Sequence, residues 1–397
     1  MRRIVVRILI AAVGLLAVGN GVKAQDLAAL RVRAERGEPE AQSQLGLEYF
    51  QGRSVPKDDA LAAKWIRLAA DNGYPEAQFQ LGHLYSDGQG VRKDYAQSVE
   101  WYRKAAVQGY ARAQFNLGFA YFSGQGVEQD YAEAAKWYRK AAYQGFPEAQ
   151  YNLGVLYGNG QGVTKDDAEK VKWYRKAAEQ DNADAENNLA VAYREGRGVE
   201  QDYAEALKWF RRSANLGYAE AQANLCWGFV DVQSVQQDDA EHVKWCRTAA
   251  DHGFAKAQHN LGVAYYTGHG VEQDYAEAAK WFRKGADQGL AAAQYNVGLL
   301  YGTGQGVKQD YAEAVKWFRM AASQGNAKAQ HNLGISYQKG WGVPQDDAEA
   351  YFWLVVSSAA GAEDTQNRDK VRAHLTPQQI VAGEARAAKW QPRKLGD

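Results

Sequence analysis

Between residues 110 and 145 the apolar positions form two stripes separated by a polar turn. Ala113, Leu117, Ala120 and Tyr121 fall at i, i+4, i+7 and i+8, one face of a helix. Gly124-Gln125-Gly126 interrupts them, and glycine accepts the left-handed geometry that commonly ends helices. A second stripe, Ala134, Trp137, Tyr138 and Ala141, predicts another helix stopping at Gly145. Asp130 precedes it as an N-cap, with Glu133 placed to complete a capping box; Asp202/Glu205, Asp274/Glu277 and Asp310/Glu313 repeat the pair. Pro39, Pro75 and Pro147 suit a first helical turn, where a missing N–H costs nothing. The segment reads as a helical hairpin.

The hairpin recurs. Tryptophan holds one place nine times at a spacing of 36 residues: Trp65, Trp101, Trp137, Trp173, Trp209, Trp245, Trp281, Trp317 and Trp353. Such a period marks a solenoid, whose units bury their apolar faces only against neighbours. The units are 38–73, 74–109, 110–145, 146–181, 182–217, 218–253, 254–289, 290–325 and 326–361, without insertion or deletion. Residues 26–37 predict an N-terminal capping helix. Residues 362–397 predict a C-terminal capping helix and tail, with Ile380, Val381 and Trp390 covering the last hairpin. The expected fold class is all-α, an α-α superhelix of nine 36-residue hairpins.

Ahead of the units, Arg2, Arg3 and Arg7 lead an apolar run, Ile8–Val18, and Val22-Lys23-Ala24 ends on a small residue. This predicts a signal peptide over residues 1–24 and a periplasmic or secreted mature chain. The run is shorter than the roughly 20 residues a spanning helix needs, so no membrane span is expected in the mature chain. Gln25, not cysteine, follows the cut, which disfavours a lipid anchor. The chain balances 47 basic against 47 acidic residues, without a basic block or stripe. Nucleic acid is therefore a poor partner.

The run Ala113-Gln114-Phe115-Asn116-Leu117-Gly118, with Tyr121, Gly124, Gly126, Val127, Asp130, Tyr131, Trp137, Ala141 and Ala142, resembles the Sel-one-like repeat (SLR), a relative of the tetratricopeptide repeat. The resemblance covers over four fifths of the chain. It implies an adaptor: a non-catalytic superhelical scaffold, without cofactor or metal, whose partner is a protein or peptide. One cysteine-rich SLR subfamily is described as binding or cleaving β-lactams, with a cysteine pair eight apart. The matching places here hold Ala106 with Gln114 and Ala142 with Gln150. A cell-wall or β-lactam hydrolase is the first alternative, and a structural spacer in an envelope assembly the second.

Most features that suggest chemistry have a repeat-wide explanation. The aspartate pairs Asp58-Asp59, Asp166-Asp167, Asp238-Asp239 and Asp346-Asp347 occupy helix-capping positions. The G-x-G turns follow a helix instead of a strand and so read as helix stops. His242, His252, His259 and His269 cluster in sequence without metal-ligand spacing. Cys226 and Cys246 form a candidate disulfide between the helices of the sixth hairpin, closing a loop for roughly 3 kcal/mol; two unrelated buried thiols are the other reading.

Two columns of the first helix are candidate partner contacts. An amide ladder runs through Gln44, Gln80, Asn116, Asn152, Asn188, Asn224, Asn260, Asn296 and Asn332. An amide can donate to and accept from an extended peptide backbone at once, or tie neighbouring hairpins together. A second column carries Phe79, Phe115, Tyr151, His259, Tyr295 and His331. Four residues later come Leu47, His83, Phe119, Val155, Val191, Trp227, Val263, Leu299 and Ile335. A helix apolar nearly all round is buried on both sides or lines an apolar surface. In the resembled superhelices the first helix lines the concave face. That makes Phe79, Phe115, Asn116, Phe119, Tyr151, Asn152, Trp227, His259, Asn260, Tyr295, Asn296 and His331 the expected partner-binding residues. The fifth and sixth units depart most from the pattern, at Asp181, Glu186, Ala190, Cys226 and the turn Asp231-Val232-Gln233-Ser234-Val235. Trp341, in the ninth turn, is either an exposed anchor or ordinary packing.

Overall fold

A computed structural model describes residues 24–227, 239–361 and 366–393. The signal-peptide segment up to residue 23 and the turn 231–235 lie outside them. Among the described residues there are twenty-one helices and no strand, in two compact units, 1–216 and 217–397. In the first, α1 (Ala24–Glu35) precedes five hairpins. They are α2 (Pro39–Gln51) with α3 (Asp59–Asp71), α4 (Pro75–Asp87) with α5 (Tyr95–Val107), α6 (Ala111–Ser123) with α7 (Tyr131–Tyr143), α8 (Pro147–Asn159) with α9 (Asp167–Ala178), and α10 (Ala183–Glu195) with α11 (Tyr203–Asn215). In the second, α12 (Ala219–Trp227) pairs with α13 (Asp239–Asp251), α14 (Ala255–Thr267) with α15 (Tyr275–Asp287), α16 (Ala291–Thr303) with α17 (Tyr311–Ser323), and α18 (Ala327–Lys339) with α19 (Asp347–Ala359). Two further helices, α20 (Gln366–Arg372) and α21 (Pro377–Ala388), close the chain.

Five of the hairpins close where a glycine meets a ring, and in the first and ninth Ile66 and Leu354 take the ring's place against Gly46 and Gly334. On α6, a Cβ added at Gly118 would lie 2.8 Å from the Tyr138 ring of α7. Gly82, Gly154, Gly262 and Gly298 face Tyr102, Tyr174, Phe282 and Phe318 in the same way. Leu117, Tyr138 and Ala141 beneath this contact are fully buried. The turn glycines do two separate things. Gly124, at φ 73°, ends α6 and donates its N–H to the Ala120 carbonyl at 2.9 Å. Gly126, at φ 76°, lies against the start of the previous hairpin's second helix, where a Cβ would come within 2.3 Å of the Tyr95 carbonyl oxygen.

Polar ladders join one hairpin to the next. Gln114 Nε2 donates to the Ala106 carbonyl at 3.1 Å, while its Oε1 accepts from Gln144 Nε2 at 2.8 Å. The pair Ala106 and Gln114, the places of the cysteine-rich subfamily's bridge, is thus joined by an amide-to-carbonyl hydrogen bond. Arg103 and Arg139 reach the hydroxyls of Tyr121 and Tyr157 on the following hairpin at 2.9 and 3.0 Å.

The caps differ from the expectation in one respect. Asp130 accepts from the Ala132 and Glu133 N–H groups at 2.8 and 3.0 Å. Glu133 does not complete a capping box, because the Asp130 N–H already donates to the Tyr121 carbonyl at 2.9 Å. Its carboxylate instead takes the Trp137 indole N–H at 3.1 Å and Lys136 at 2.8 Å. Glu169 and Glu313 hold Trp173 and Trp317 likewise. Asp58, Asp166 and Asp346, the first of each described aspartate pair, cap their helices.

At the ends, Leu30 and Ala34 of α1 pack with Ala41 and Leu45 of α2. At the other end Ile380 and Trp390 pack as expected, Trp390 edge-on to Trp353 at 6.3 Å between centroids. Val381 does not: it is 65% exposed. Val371, from the unforeseen α20, fills that place beside Tyr351 and Leu354. Among the described residues no helix is long and apolar enough to cross a membrane.

Candidate functional site

The two candidate columns part company in the structure. Phe115 is only 4% exposed; its ring packs 5.6 Å from Tyr138 and 5.2 Å from Phe146 of the following hairpin. Phe79 lies the same way between Tyr102 and Tyr110, and Tyr151 stacks on Tyr174 at 5.7 Å. Phe79, Phe115, Tyr151 and Asn152 are all buried, which corrects the expectation that they meet a ligand: these rings sit where two hairpins and the next N-terminus converge. In the second unit His259 and Tyr295 contact Phe282 and Phe318, and they and His331 remain half-buried. Burial pulls the His259 imidazole below its usual pKa, against the hydrogen bond that its Nδ1 makes to Asn260 Oδ1 at 3.2 Å.

The amides tie hairpin to hairpin. Asn260 Nδ2 donates to the Cys226 carbonyl at 3.2 Å, Asn188 to the Tyr151 hydroxyl at 3.4 Å, and Asn296 lies 3.0 Å from His259 Nε2. Asn116 bears on the Tyr102 hydroxyl, whose pKa burial pushes up to about 12 with Ser98 and Asn116 opposing. Trp227 ends α12, and its side chain lies outside the described structure.

The position four residues further on is more open, except at the buried Val155. Phe119 is half-buried and lines a cleft of about 230 Å³ with His83, Tyr95, Asn116 and Gln125. Six repeats later a cleft of about 150 Å³ is lined by Leu299, Tyr311, Asn332, Ile335 and Trp341, in the same repeat positions. The clefts share a scaffold and differ in chemistry. The first carries His83 beside Asp87 at 3.1 Å, with Lys93 over Tyr95 at 4.8 Å. The second is apolar. Trp341 stacks on Tyr311 at 5.4 Å and is still 45% exposed, so it is at once packed and available.

The fifth and sixth hairpins owe their departures to paired substitutions. Cys226 and Cys246 are joined by a disulfide. Cys226 occupies the glycine column of Gly118, and Cys246 the ring column of Tyr138, so the bond replaces the glycine–ring contact seen in the second, third, fourth, seventh and eighth hairpins. Reading both columns together would have found it. In the fifth hairpin Glu186 stands where Gln114 and Gln150 stand, and Leu216 where Gln144 and Gln180 stand. A carboxylate cannot donate to the carbonyl that glutamine serves. Arg212 comes in instead, 2.9 Å from Glu186 and 2.8 Å from Asp181, which holds the turn at φ 58° in place of glycine. Burial lifts the Glu186 pKa to about 7; Arg212 opposes that and Asp181 adds to it.

Stacked helical hairpins with half-open clefts between them define a class of protein-recognition scaffold. The chain belongs to the Sel1 repeat family, whose members are in general non-catalytic protein-interaction scaffolds: the family model, Sel1 repeat, matches residues 39–74, 75–110, 111–146, 147–182, 183–218, 255–290, 291–326 and 327–361. The disulfide-bearing sixth hairpin lies between the fifth and sixth matched segments. A Sel1 repeat protein from Oxalobacter formigenes is 35% identical in sequence, over 79% of this chain and 91% of that one, with a TM-score of 0.57. A protective antigen present in uropathogenic Escherichia coli strains, displaying an SLR fold, is 34% identical over 92% of this chain and 95% of that one, with a TM-score of 0.46. No curated protein matches the chain.

Proposed function

We propose that this protein is an exported scaffold that holds a protein or peptide partner in the clefts between successive first helices, without catalysis. The observation that carries the reading is the recurrence of one cleft in one register, with Phe119 and Gln125 in the first unit and Ile335 and Trp341 in the second. Conserved geometry with changing side chains suits a partner read at several points, each contributing a modest share of affinity. Export is supported by the basic and apolar start of the sequence and by the Cys226–Cys246 bond, which persists in an oxidising compartment. Mass spectrometry of the mature chain is expected to find Gln25 as its first residue.

A photo-crosslinking amino acid at Gln125 or Trp341 tests the binding site. In the periplasm both positions are expected to yield the same adduct, while Lys140, on the second helix of its hairpin, yields none. Phe119→Ala with Trp341→Ala should abolish the adduct formed through Gln125 and leave the circular dichroism unchanged. Equal adducts at Lys140, or full capture by the double variant, would sink the proposal. Phe115 is unsuited to this test, since truncating so buried a ring costs roughly 3–5 kcal/mol of stability by itself.

A further inference from the structure

In the second unit, on the side of the second helices, a cavity of about 900 Å³ opens between α17, α19 and the segment that follows α21. That volume is in the range of ligand sites, and the cavity is broadly open to solvent. Trp317, Trp353 and Trp390 form its walls, with Phe352 beside them. Glu313 and Glu349 hold the indole N–H groups of Trp317 and Trp353 at 3.0 and 2.9 Å, which fixes both ring planes.

At the cavity α17 departs from the repeats that carry a lysine here. Three residues after the tryptophan, Lys104, Lys140 and Lys284 lie over their rings at 3.7, 4.2 and 3.9 Å; α17 has Met320 at this place. Arg283 of α15 reaches across to the Trp317 ring at 4.7 Å and Arg386 lies over Phe352 at 3.7 Å, while further cations stand at the rim. Lys316, Arg319, Arg386, Lys389 and Arg393 line the cavity against one carboxylate, Glu313. Lys316, Arg319 and Arg386 are engaged by Glu313, Tyr337 and Glu349. The side chains of Lys389 and Arg393 are exposed and make no ion pair among the described residues. The Arg393 N–H donates to the Ser323 carbonyl at 2.8 Å, which ties the segment after α21 to the end of α17 at the cavity's edge.

We propose that this cavity is a second recognition site, which takes a peptide segment carrying a carboxylate next to an aromatic side chain. The aromatic group lies against the tryptophan-lined wall, and the carboxylate meets Lys389 and Arg393. Aromatic walls favour a flat apolar group, and the excess of cations selects an anionic one over a basic one. The inference rests on the chain being a protein-recognition scaffold. It does not depend on the clefts, which crosslinking at Gln125 and Trp341 tests separately.

Calorimetric titration of the full mature chain decides it, with three acetylated and amidated pentapeptides as probes: Gly-Asp-Phe-Glu-Gly, Gly-Asp-Ala-Glu-Gly and Gly-Lys-Phe-Lys-Gly. The first is expected to bind with Kd of ~0.1 mM, and the other two at least about tenfold more weakly. Lys389→Glu with Arg393→Glu should weaken the first peptide about tenfold or more with the melting temperature unchanged, since both side chains are exposed. No binding of the first peptide up to ~1 mM, equal binding of the lysine peptide, or indifference to the charge reversal would each overturn the proposal. So would 8-anilinonaphthalene-1-sulfonate bound in the cavity that no peptide displaces, which would assign the site to small aromatic anions.

Discussion

At Gly118 and Gly126 the same residue type answers two different demands. Gly118 needs room against a side chain, and a ring can shift; Ala190 stands at that place in the fifth hairpin. Gly126 needs positive φ and a gap against backbone, which cannot shift without moving a hairpin. Gly118→Ala is therefore expected to cost about 1 kcal/mol and Gly126→Ala about 2 kcal/mol or more, measured by urea unfolding. Glu186 makes a pH-dependent prediction. Its folded pKa, about 7, lies above its ordinary value of 4.5, so the folded state binds the proton more tightly than the unfolded chain. The stability it contributes is full below about pH 4.5 and is lost as pH rises through about 7, on the order of 3 kcal/mol in all. Glu186→Gln restores the repeat's residue, and the urea midpoint of that variant should fall less between pH 5 and pH 8 than the wild type's. An identical fall in both would show that Glu186 does not titrate in this range. The sequence singled out this residue as a departure. It did not disclose the charge partner, because Arg212 is conspicuous only once the helices are stacked.

At the scale of the hairpin, periodicity was enough to place both helices, their caps and their stops. Cap and stop chemistry is local: an aspartate oxygen on N–H groups two and three residues on, or a glycine at positive φ. The carboxylates one turn into each second helix depart from the capping-box pattern because their choice is not local. Glu133 turns to Trp137 only because α6 has already taken the Asp130 N–H. The sixth hairpin shows the same logic in covalent form. Reducing Cys226–Cys246 should destabilise the second unit by roughly 3 kcal/mol. Cys226→Gly with Cys246→Tyr, which installs the pair used by the second, third and fourth hairpins, should make stability indifferent to reductant. Persistent sensitivity of that variant to dithiothreitol would show that the loss on reduction does not come from this bond.

At the scale of the whole chain, stability in a solenoid is close to a sum of unit and nearest-neighbour terms. We predict that the two units, 1–216 and 217–397, melt separately, the disulfide being in the second. Calorimetry is expected to resolve two transitions, of which dithiothreitol lowers only one. A single cooperative transition that moves as a whole would contradict this. What the sequence determined alone was everything carried by short-range rules repeated many times: the period, the helical hairpin, the caps, the stops and the membership of a recognition-scaffold family. The tertiary structure decided which apolar column is core and which stays open. Phe115 and Phe119 are both aromatic and one helical turn apart, so neither hydropathy nor spacing separates them. Only the arrival of Tyr138 and Phe146 on one side buries the first ring, and the gap left between consecutive first helices keeps the second within reach of a partner.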